Sequence, residues 1–462
     1  EIWLVGGAVR DLVLGATEIA DCDLAVSVPF TAQANTYARN KKSGFVMLDE
    51  DHEVARIVRS IEGRSFTVDI ARFRAEGIDG DLQGRDFTIN AMAVRVTWPL
   101  LDPVLPLYDP LGGREALVEK RLKMCAPTAF QDDPLRVMRA FRFGAGLGMR
   151  FDEELTEAIR RDAPLLEGVS GERIRDELFK MLATSESAAW IETMSKLGVL
   201  ARILPELEEA RGVSQNGWHH LDVFDHTIEA LRRFEALIDR NDAPVEGWKK
   251  FQAYLDEPIS GNRTFRQVFK FACLLHDVGK PACRREREED GRIVFHGHEM
   301  EGVRLCKTVA ERFRLSTAEL NFLMNVVKNH MRPGVILQEG LSDRRLFRYY
   351  TETGRDGVGI ALMSLADRLA AQGPESQDDM AVFEKGIESI MSDFYRQMEY
   401  AKQAPLINGT DLMTHFRLQP GPKFREILDA VREAQHLGQV RDRNAALLFA
   451  GRLLSGRPSE EE

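Results

Sequence analysis

From Val5 to Val26 the chain reads VGGAVRDLVLGATEIADCDLAV, and the two ends of that stretch impose different geometries. Gly6 and Gly7 separate the apolar run IWLV from the amphipathic AVRDLVLG, a place where a strand turns into a helix and glycine relieves the backbone. About fifteen residues on, Asp21 and Asp23 share one face of a strand, because side chains alternate, and Leu24 and Val26 take the other. Adjacent carboxylates repel unless a cation joins them, and an all-oxygen site suits magnesium, which completes its shell with water and substrate phosphates. Paired metals of this kind bring an attacking hydroxyl in line with an α-phosphate and neutralise the leaving pyrophosphate. The glycines let the backbone approach a triphosphate, and Arg10, one turn into the helix, reaches its oxygens. A solvated acidic turn is the plain reading of a lone D-x-D; joined to G-G-x-x-R at this spacing, nucleotide chemistry is the better one.

A chain of 462 residues exceeds a single core and points to roughly three or four domains, with 44% hydrophobic residues to fill them. Its longest apolar runs, such as Phe271 to Leu275 and Ala445 to Ala450, are too short to span a bilayer, and Arg10 and Asp11 interrupt any signal-peptide core. No membrane partner is expected, and the location implied is cytoplasmic. Cys22, Cys125, Cys273, Cys283 and Cys306 are odd in number and lack a C-x-x-C pair, which fits a reducing compartment. A net charge of -11 excludes a broad, non-specific grip on nucleic acid and leaves a local basic surface as the route to RNA. Because the chain begins at Glu1, a residue or two is expected to precede it.

Up to about residue 110, the β-rich runs IWLV, CDLAVSV, FVMLD, EVARIVRSI, FTVDIARF and FTINAMAVRV alternate with helical patches, as in a small mixed α/β domain. Beyond it the pattern is helical: Leu135 to Phe143, Arg173 to Ala183, Ala188 to Gly198, Phe224 to Leu237, Phe265 to Asp277, Glu299 to Phe313 and Thr317 to Asn329. The stretches Asp239 to Pro244, Pro258 to Thr264 and Glu286 to Gly291 read as loops, and SGRPSEEE as a frayed tail. The fold class expected is α+β.

VGGAVRD, DCDLAV, GRDFTINAMA, DPLGGREALVEKRLKM, FQDDPLRVMRAFRF and SGERIRDELFKML, in that order over residues 1 to about 205, resemble the successive motifs of the class II tRNA nucleotidyltransferases, the CCA-adding enzymes and related bacterial poly(A) polymerases. The resemblance implies a polymerase-β-like nucleotidyltransferase head over 1–112, a helical neck that selects the nucleotide over 113–205, an HD metal-binding body over 206–375 and a tRNA-binding helical tail over 376–462. It implies that Gly7, Arg10 and Arg85 contact nucleotide and that Asp21 and Asp23 carry Mg2+. Asp69, in FTVDIARF, is a candidate third acid.

Cytosine and adenine share an exocyclic amino donor beside an unprotonated ring nitrogen, whereas uracil and guanine present the reverse. One carboxylate and one guanidinium therefore select C and A together. In QDDPLRVMRAFRF, Asp133 and Arg136 are three apart on a helix expected to begin at Pro134, with Arg139 and Arg142 on adjoining turns. Asp133 also reads as an ordinary N-cap, both roles being compatible, and Asp132 competes for either. A mispaired base leaves buried polar groups facing like partners, which gives discrimination of roughly 10⁴.

His226, His276, Asp277, His298, His330 and Asp367 follow the order of metal ligands in the HD phosphohydrolase superfamily, which they resemble. Imidazoles and carboxylates together suit a divalent transition metal, or a pair, that activates water against a phosphoester. Many similar proteins join nucleotide addition to phosphatase or 2′,3′-cyclic phosphodiesterase activity; a degenerate HD fold kept as scaffold is the other reading. From Pro405 the chain resembles the tail of longer members, where Lys423, Arg425, Arg432, Arg441 and Arg443 offer either a basic surface for tRNA or a solvated helical face.

The reading is a tRNA 3′-end nucleotidyltransferase that adds C and A from CTP and ATP without a nucleic-acid template, with an accessory HD phosphohydrolase. Relatives carry a mobile lever loop before the motif matching RDFTINAMA; here only AEGIDGDLQG, Ala75 to Gly84, fills the gap, too short for a long excursion. That favours a CC-adding enzyme as the alternative, with an A-adding enzyme or a poly(A) polymerase behind it. From another class, the chain reads as an HD phosphohydrolase with a nucleotide-binding head.

Overall fold

The computed structural model describes residues 1–19, 21–97, 106–217, 220–240, 247–371, 379–401 and 403–455. The body–tail boundary expected at 375/376, most of the expected loop over Asp239 to Pro244 and the end of the tail beyond Ser455 lie outside them. Two compact units form, Glu1–Pro205 and Glu206–Glu462.

In the first unit, β1 (Ile2–Val5), β2 (Asp21–Val26), β3 (Gly44–Asp49), β4 (Val54–Ile61), β5 (Arg64–Arg72), β6 (Ala93–Arg95) and β7 (Leu107–Tyr108) make one mixed sheet in the order β3-β4-β5-β2-β1-β6-β7. Among its pairings β2 and β5 run parallel, which sets Asp23 opposite Asp69, while the antiparallel β4 sets Arg56 opposite the same aspartate. With a period of two, the alternate residues of these strands turn the other way. There Ala55, Ile57 and Val26 are buried together with Ala34 and Ala38 of α2 (Thr31–Asn40). The turn between β1 and α1 (Gly7–Val13) is made by Gly6 at φ 72°, in the left-handed half of the map.

Two segments differ from their expected form. FTINAMAVRV is not one strand but a 3₁₀ turn over Thr88–Asn90 followed by the short β6. Asp86 causes this: its Oδ1 accepts the Phe87 N–H at 2.8 Å and the Asn90 side-chain N–H at 3.0 Å, a local closure that competes with strand pairing. The gap from Ala75 to Gly84 folds as α3 (Gly77–Gln83), whose Leu82 is fully buried with Val5, Ala25, Ala91 and Ala93.

Residues 113–205 of this unit are mostly helical, as expected, including Leu135–Leu147, Gly171–Leu182 and Ser187–Lys196. In the second unit the helices Val223–Ile238, Phe265–Leu275, His298–Arg312 and Thr317–Asn329 end within a residue or two of their sequence expectation. Capping boxes at Thr264 with Gln267 and at Ser316 with Glu319 fix two of those starts. Two expected loops contain hairpins instead, Pro258–Ser260 with Arg263–Thr264 and Arg285–Glu286 with Ile293–Val294. The helices Gly409–Phe416, Pro422–His436 and Arg443–Leu454 enclose a small core of their own around Leu412, Val431 and Ala446.

Gly144 lets the helix Leu135–Leu147 approach Trp190 so closely that a Cβ there meets the indole at 2.3 Å. Gly144→Ala is expected to destabilise the fold by about 1–3 kcal/mol through overpacking, read as a lowered urea midpoint at unchanged slope.

Candidate active site and metal centre

In the first unit, a cavity of about 460 Å³ opens on the sheet face that carries Asp23 and Asp69. It is lined by Gly6, Gly7, Arg10, Asp23, Asp69, Arg85, Asp133, Arg136, Arg139 and Arg142, so nearly all the nucleotide-site candidates converge on one space. Asp21 is the exception: it stands exposed at the first residue of β2, on the face of Asp23 but outside the lining. The approach of Gly6 to Asp23 is close, since a Cβ on Gly6 falls 2.7 Å from Asp23 Oδ2. Burial pushes the Asp23 carboxyl above its usual range; Arg85 and the Gly7 N–H oppose that shift, while Asp69 adds to it. Like charges drawn together on adjacent strands are a setting that a bound cation relieves. Asp69 is itself held by Arg56, whose Nε and Nη2 each donate at 2.8 Å.

Arg10 reaches back to the 3₁₀ turn, its Nη1 donating to Asn90 Oδ1 at 2.8 Å, and lies over the Phe143 ring at 5.4 Å. Arg139 pairs with the buried Asp86 at 2.6 Å and Arg142 with Glu177 at 2.8 Å. These two arginines line the cavity with their charge already compensated. Despite its burial, Asp86 is held below the usual carboxylate range by Arg139 and by its hydrogen bonds to Asn90 and Phe87.

Asp133 is not on the helix with Arg136. Its backbone is extended at φ -148°, immediately before Pro134, because a residue preceding proline is driven out of the helical region. From there its Oδ1 accepts the Leu135 N–H at 3.2 Å, so the capping role is present, and the carboxylate pairs with Arg173 at 3.0 Å. Arg136, in the first turn, donates to three backbone oxygens: Gly84 at 2.7 Å, Arg85 at 3.2 Å and Ala129 at 3.3 Å. Asp132 receives a Thr128 hydroxyl at 3.3 Å and is absent from the lining. Asp86, Asn90, Phe143 and Arg173 were missed by sequence reasoning. Two of them, Asp86 and Asn90, sit inside the quoted GRDFTINAMA motif, where a buried acid near an amide was the available signal.

In the second unit the six expected metal ligands come together in two groups that share Asp277: His226, His276, Asp277 and Asp367, and Asp277, His298 and His330. Within each group the candidate ligand atoms lie within 4.8 Å of one another. Three histidines occupy helix ends, His276 and His330 at C-caps and His298 at a first residue. In each, Nδ1 meets the carbonyl three residues earlier: Cys273 at 2.7 Å, Val327 at 2.7 Å and Phe295 at 2.9 Å. A carbonyl only accepts, so Nδ1 carries a proton and Nε2 turns inward, towards Asp277 at His276 and His298 and towards His298 at His330, the atom that would meet a metal. The donor set fits a divalent ion. Lys280, missed in the sequence, places Nζ 2.6 Å from Asp277 and 2.8 Å from Gln215. A cavity of about 990 Å³ lies against this centre, reaching His298, Asp367 and Lys280.

The basic tail is partly neutralised. Arg443 is paired with Asp411, Arg425 lies 3.8 Å from Asp429, and Arg441 donates to the Gly438 carbonyl. Among the described residues, no helix is long and apolar enough to cross a membrane.

The chain matches known families along most of its length. Residues 2–123 match the poly A polymerase head domain, 148–211 the probable RNA and SrmB-binding site of polymerase A, 223–372 the HD domain and 360–450 tRNA nucleotidyltransferase domain 2. It is similar to the A-adding tRNA nucleotidyltransferase of Deinococcus radiodurans, with 32% identity covering 98% of this chain and 96% of the relative. It is similar also to the CC-adding tRNA nucleotidyltransferase of Thermus thermophilus, with 28% identity over 99% and 94%. Among solved structures, a CCA-adding enzyme in complex with CTP shares the fold at a TM-score of 0.61 and 22% identity, over 100% of this chain and 91% of that one.

The shared position of Asp277 makes a sharp expectation for metal content. Asp277→Asn is expected to lower the divalent metal retained per chain more than His330→Ala, which touches one group only. Emission spectroscopy on the purified proteins reads the difference.

Proposed function

The chain belongs to the family of tRNA nucleotidyltransferases and bacterial poly(A) polymerases, and we propose that it extends tRNA 3′ ends with C and A, taking CTP and ATP and releasing pyrophosphate without a nucleic-acid template. The observation that carries this reading is the meeting, in one cavity, of the Gly6–Gly7 turn, Asp23, Arg85 and the pair Asp133 and Arg136. Asp21 and Asp23 hold Mg2+, with Asp69 as a candidate third acid. When bound, the metal supplies alignment of the attacking hydroxyl with the α-phosphate and charge for the leaving group.

The chain's own groups do the rest. Gly7, Arg10 and Arg85 bind the polyphosphate, and Arg139 and Arg142, each held by its carboxylate partner, line the nucleotide cavity beside it. Asp133 accepts from the exocyclic amino group of the incoming base and Arg136 donates to its ring nitrogen. For that, Asp133 has to leave Arg173, and the pair is open to solvent, with side chains 30% and 52% exposed; such pairs are worth about 0–1 kcal/mol, so release costs little. Arg136 keeps its three carbonyl contacts and still has N–H groups to offer, since a guanidinium carries five. The division into head, neck, body and tail, the tRNA-binding role of the tail and a cytoplasmic location go with this reading.

A narrower product is favoured by one observation. The segment Ala75 to Gly84, which stands where relatives carry a mobile lever, contains the packed helix α3 (Gly77–Gln83), which leaves no long loop to move. CC addition follows from that, and A addition is the other single-step product. At the body, the inward Nε2 atoms support an accessory phosphohydrolase that uses a divalent transition metal.

The test is to incubate the protein with tRNAs ending before the first C, after CC and after CCA, adding one labelled nucleoside triphosphate at a time. C and A addition in sequence supports the full activity; C alone or A alone assigns the narrower product; no incorporation contradicts the proposal. Asp23→Asn is expected to lower incorporation by about 10²-fold or more while tRNA binding in a gel shift is retained.

A further inference from the structure

Asp81 takes no part in this chemistry and is absent from the cavity lining, yet it is a carboxylate only 1% exposed that pairs with Arg85 of that lining. A buried charge is costly unless it is paired, so its partners define its use. Its Oδ2 accepts from Arg85 Nε at 3.1 Å and Nη2 at 2.8 Å, and its Oδ1 from the Arg74 N–H at 3.3 Å. The helix that carries it is anchored on both sides, by the buried Leu82 and by a Tyr108 hydroxyl that donates to Asp79 at 2.5 Å.

Arg85 stands between two acids. Its Nη1 lies 3.2 Å from the Cβ position of Gly6, next to Asp23, whose carboxyl is drawn to it. By taking two of its hydrogen bonds, Asp81 keeps Arg85 from closing onto Asp23 and leaves the Asp23 oxygens to the cavity. The Gly84–Arg85 backbone thereby fixed is the one whose carbonyls receive Arg136 at 2.7 and 3.2 Å. A continuous path of hydrogen bonds and backbone runs from the buried carboxylate, through Arg85, to the guanidinium assigned to reading the base.

We propose that Asp81 is a positioning residue for nucleotide selection, fixing through Arg85 and the Gly84–Arg85 carbonyls the place at which Arg136 meets the base. The inference rests on the proposed function. Without the carboxylate, the repulsion that Arg74 meets from Arg85 and Arg136 loses the offset that Asp81 provides, Arg85 loses its partner, and the perch of Arg136 loosens.

The experiment compares kcat/KM for CTP, ATP, UTP and GTP on the tRNA end that the wild type extends, for the wild type, Asp81→Asn and Leu82→Ala. Asp81→Asn is expected to reduce the ratio of accepted to excluded nucleotides by about tenfold or more, with the KM for tRNA changed by less than about twofold. Leu82→Ala, which loosens the same helix without touching the pair, is expected to keep the ratio. Equal slowing with all four nucleotides in Asp81→Asn, or an equal loss of selection in Leu82→Ala, overturns the inference and leaves Asp81 a purely structural residue. Should Asp81→Asn not fold, Asp81→Glu, which keeps the charge and shifts it by one methylene, is read on the same ratio by the same criteria. A wild type that incorporates all four nucleotides alike contradicts the proposed function itself, before Asp81 is at issue.

Discussion

Asp23 and Asp69 face the same side of two parallel strands, directly opposite each other in register, and the first unit is arranged around that repulsion. Two carboxylates brought together by sheet geometry gain nothing for the fold; they raise the cost of ionisation, as burial does at Asp23. Around them the chain places cations that stop short of neutralising Asp23. Arg56 occupies Asp69, and Arg85 is held by Asp81. What is left at Asp23 is a partly buried acid beside a glycine turn too tight for any side chain, which is a place for a cation and a phosphate.

A second device is common to the two units. Backbone carbonyls orient the reactive side chains in both places: those of Gly84, Arg85 and Ala129 at Arg136, and those of Cys273, Phe295 and Val327 at three histidines. At His276 and His330 the accepting carbonyls lie in the last turn of a helix, where the intrahelical ladder leaves acceptors over. One bond therefore satisfies the helix end and sets the ring's tautomer. The rings are oriented by the secondary structure itself, which explains how a candidate metal centre is assembled from residues 141 positions apart, from His226 to Asp367.

Much of this was legible in the chain. The alternation of β2, β4 and β5 and the 3.6-residue pattern of the long helices are strong periodic signals, and the elements appear where those signals stand. That Asp23 and Arg10 meet in one cavity and that the histidine series gathers in one place was readable, because motif spacing and element type agree at those positions. What was not legible depended on contacts distant in sequence. The pairing of Asp133 with Arg173 joins residues 40 apart, and nothing local announces it. FTINAMAVRV has strand-like composition, but the closure of Asp86 on Phe87 and Asn90 overrides the propensity, as tertiary and side-chain contacts commonly do. The proline rule should have kept Asp133 off the helix, a local signal that was open to use.

Selection of C and A by protein groups, with no nucleic-acid template, is the central claim, and it is testable without turnover. Isothermal titration of the protein, free of tRNA, with CTP, ATP, UTP and GTP in the presence of magnesium measures the recognition directly. The account predicts that CTP, ATP or both bind more tightly than UTP and GTP, and that the difference vanishes when Asp133 and Arg136 are both replaced by alanine. Four equal affinities in the wild type, or a preference that survives the double replacement, contradict it.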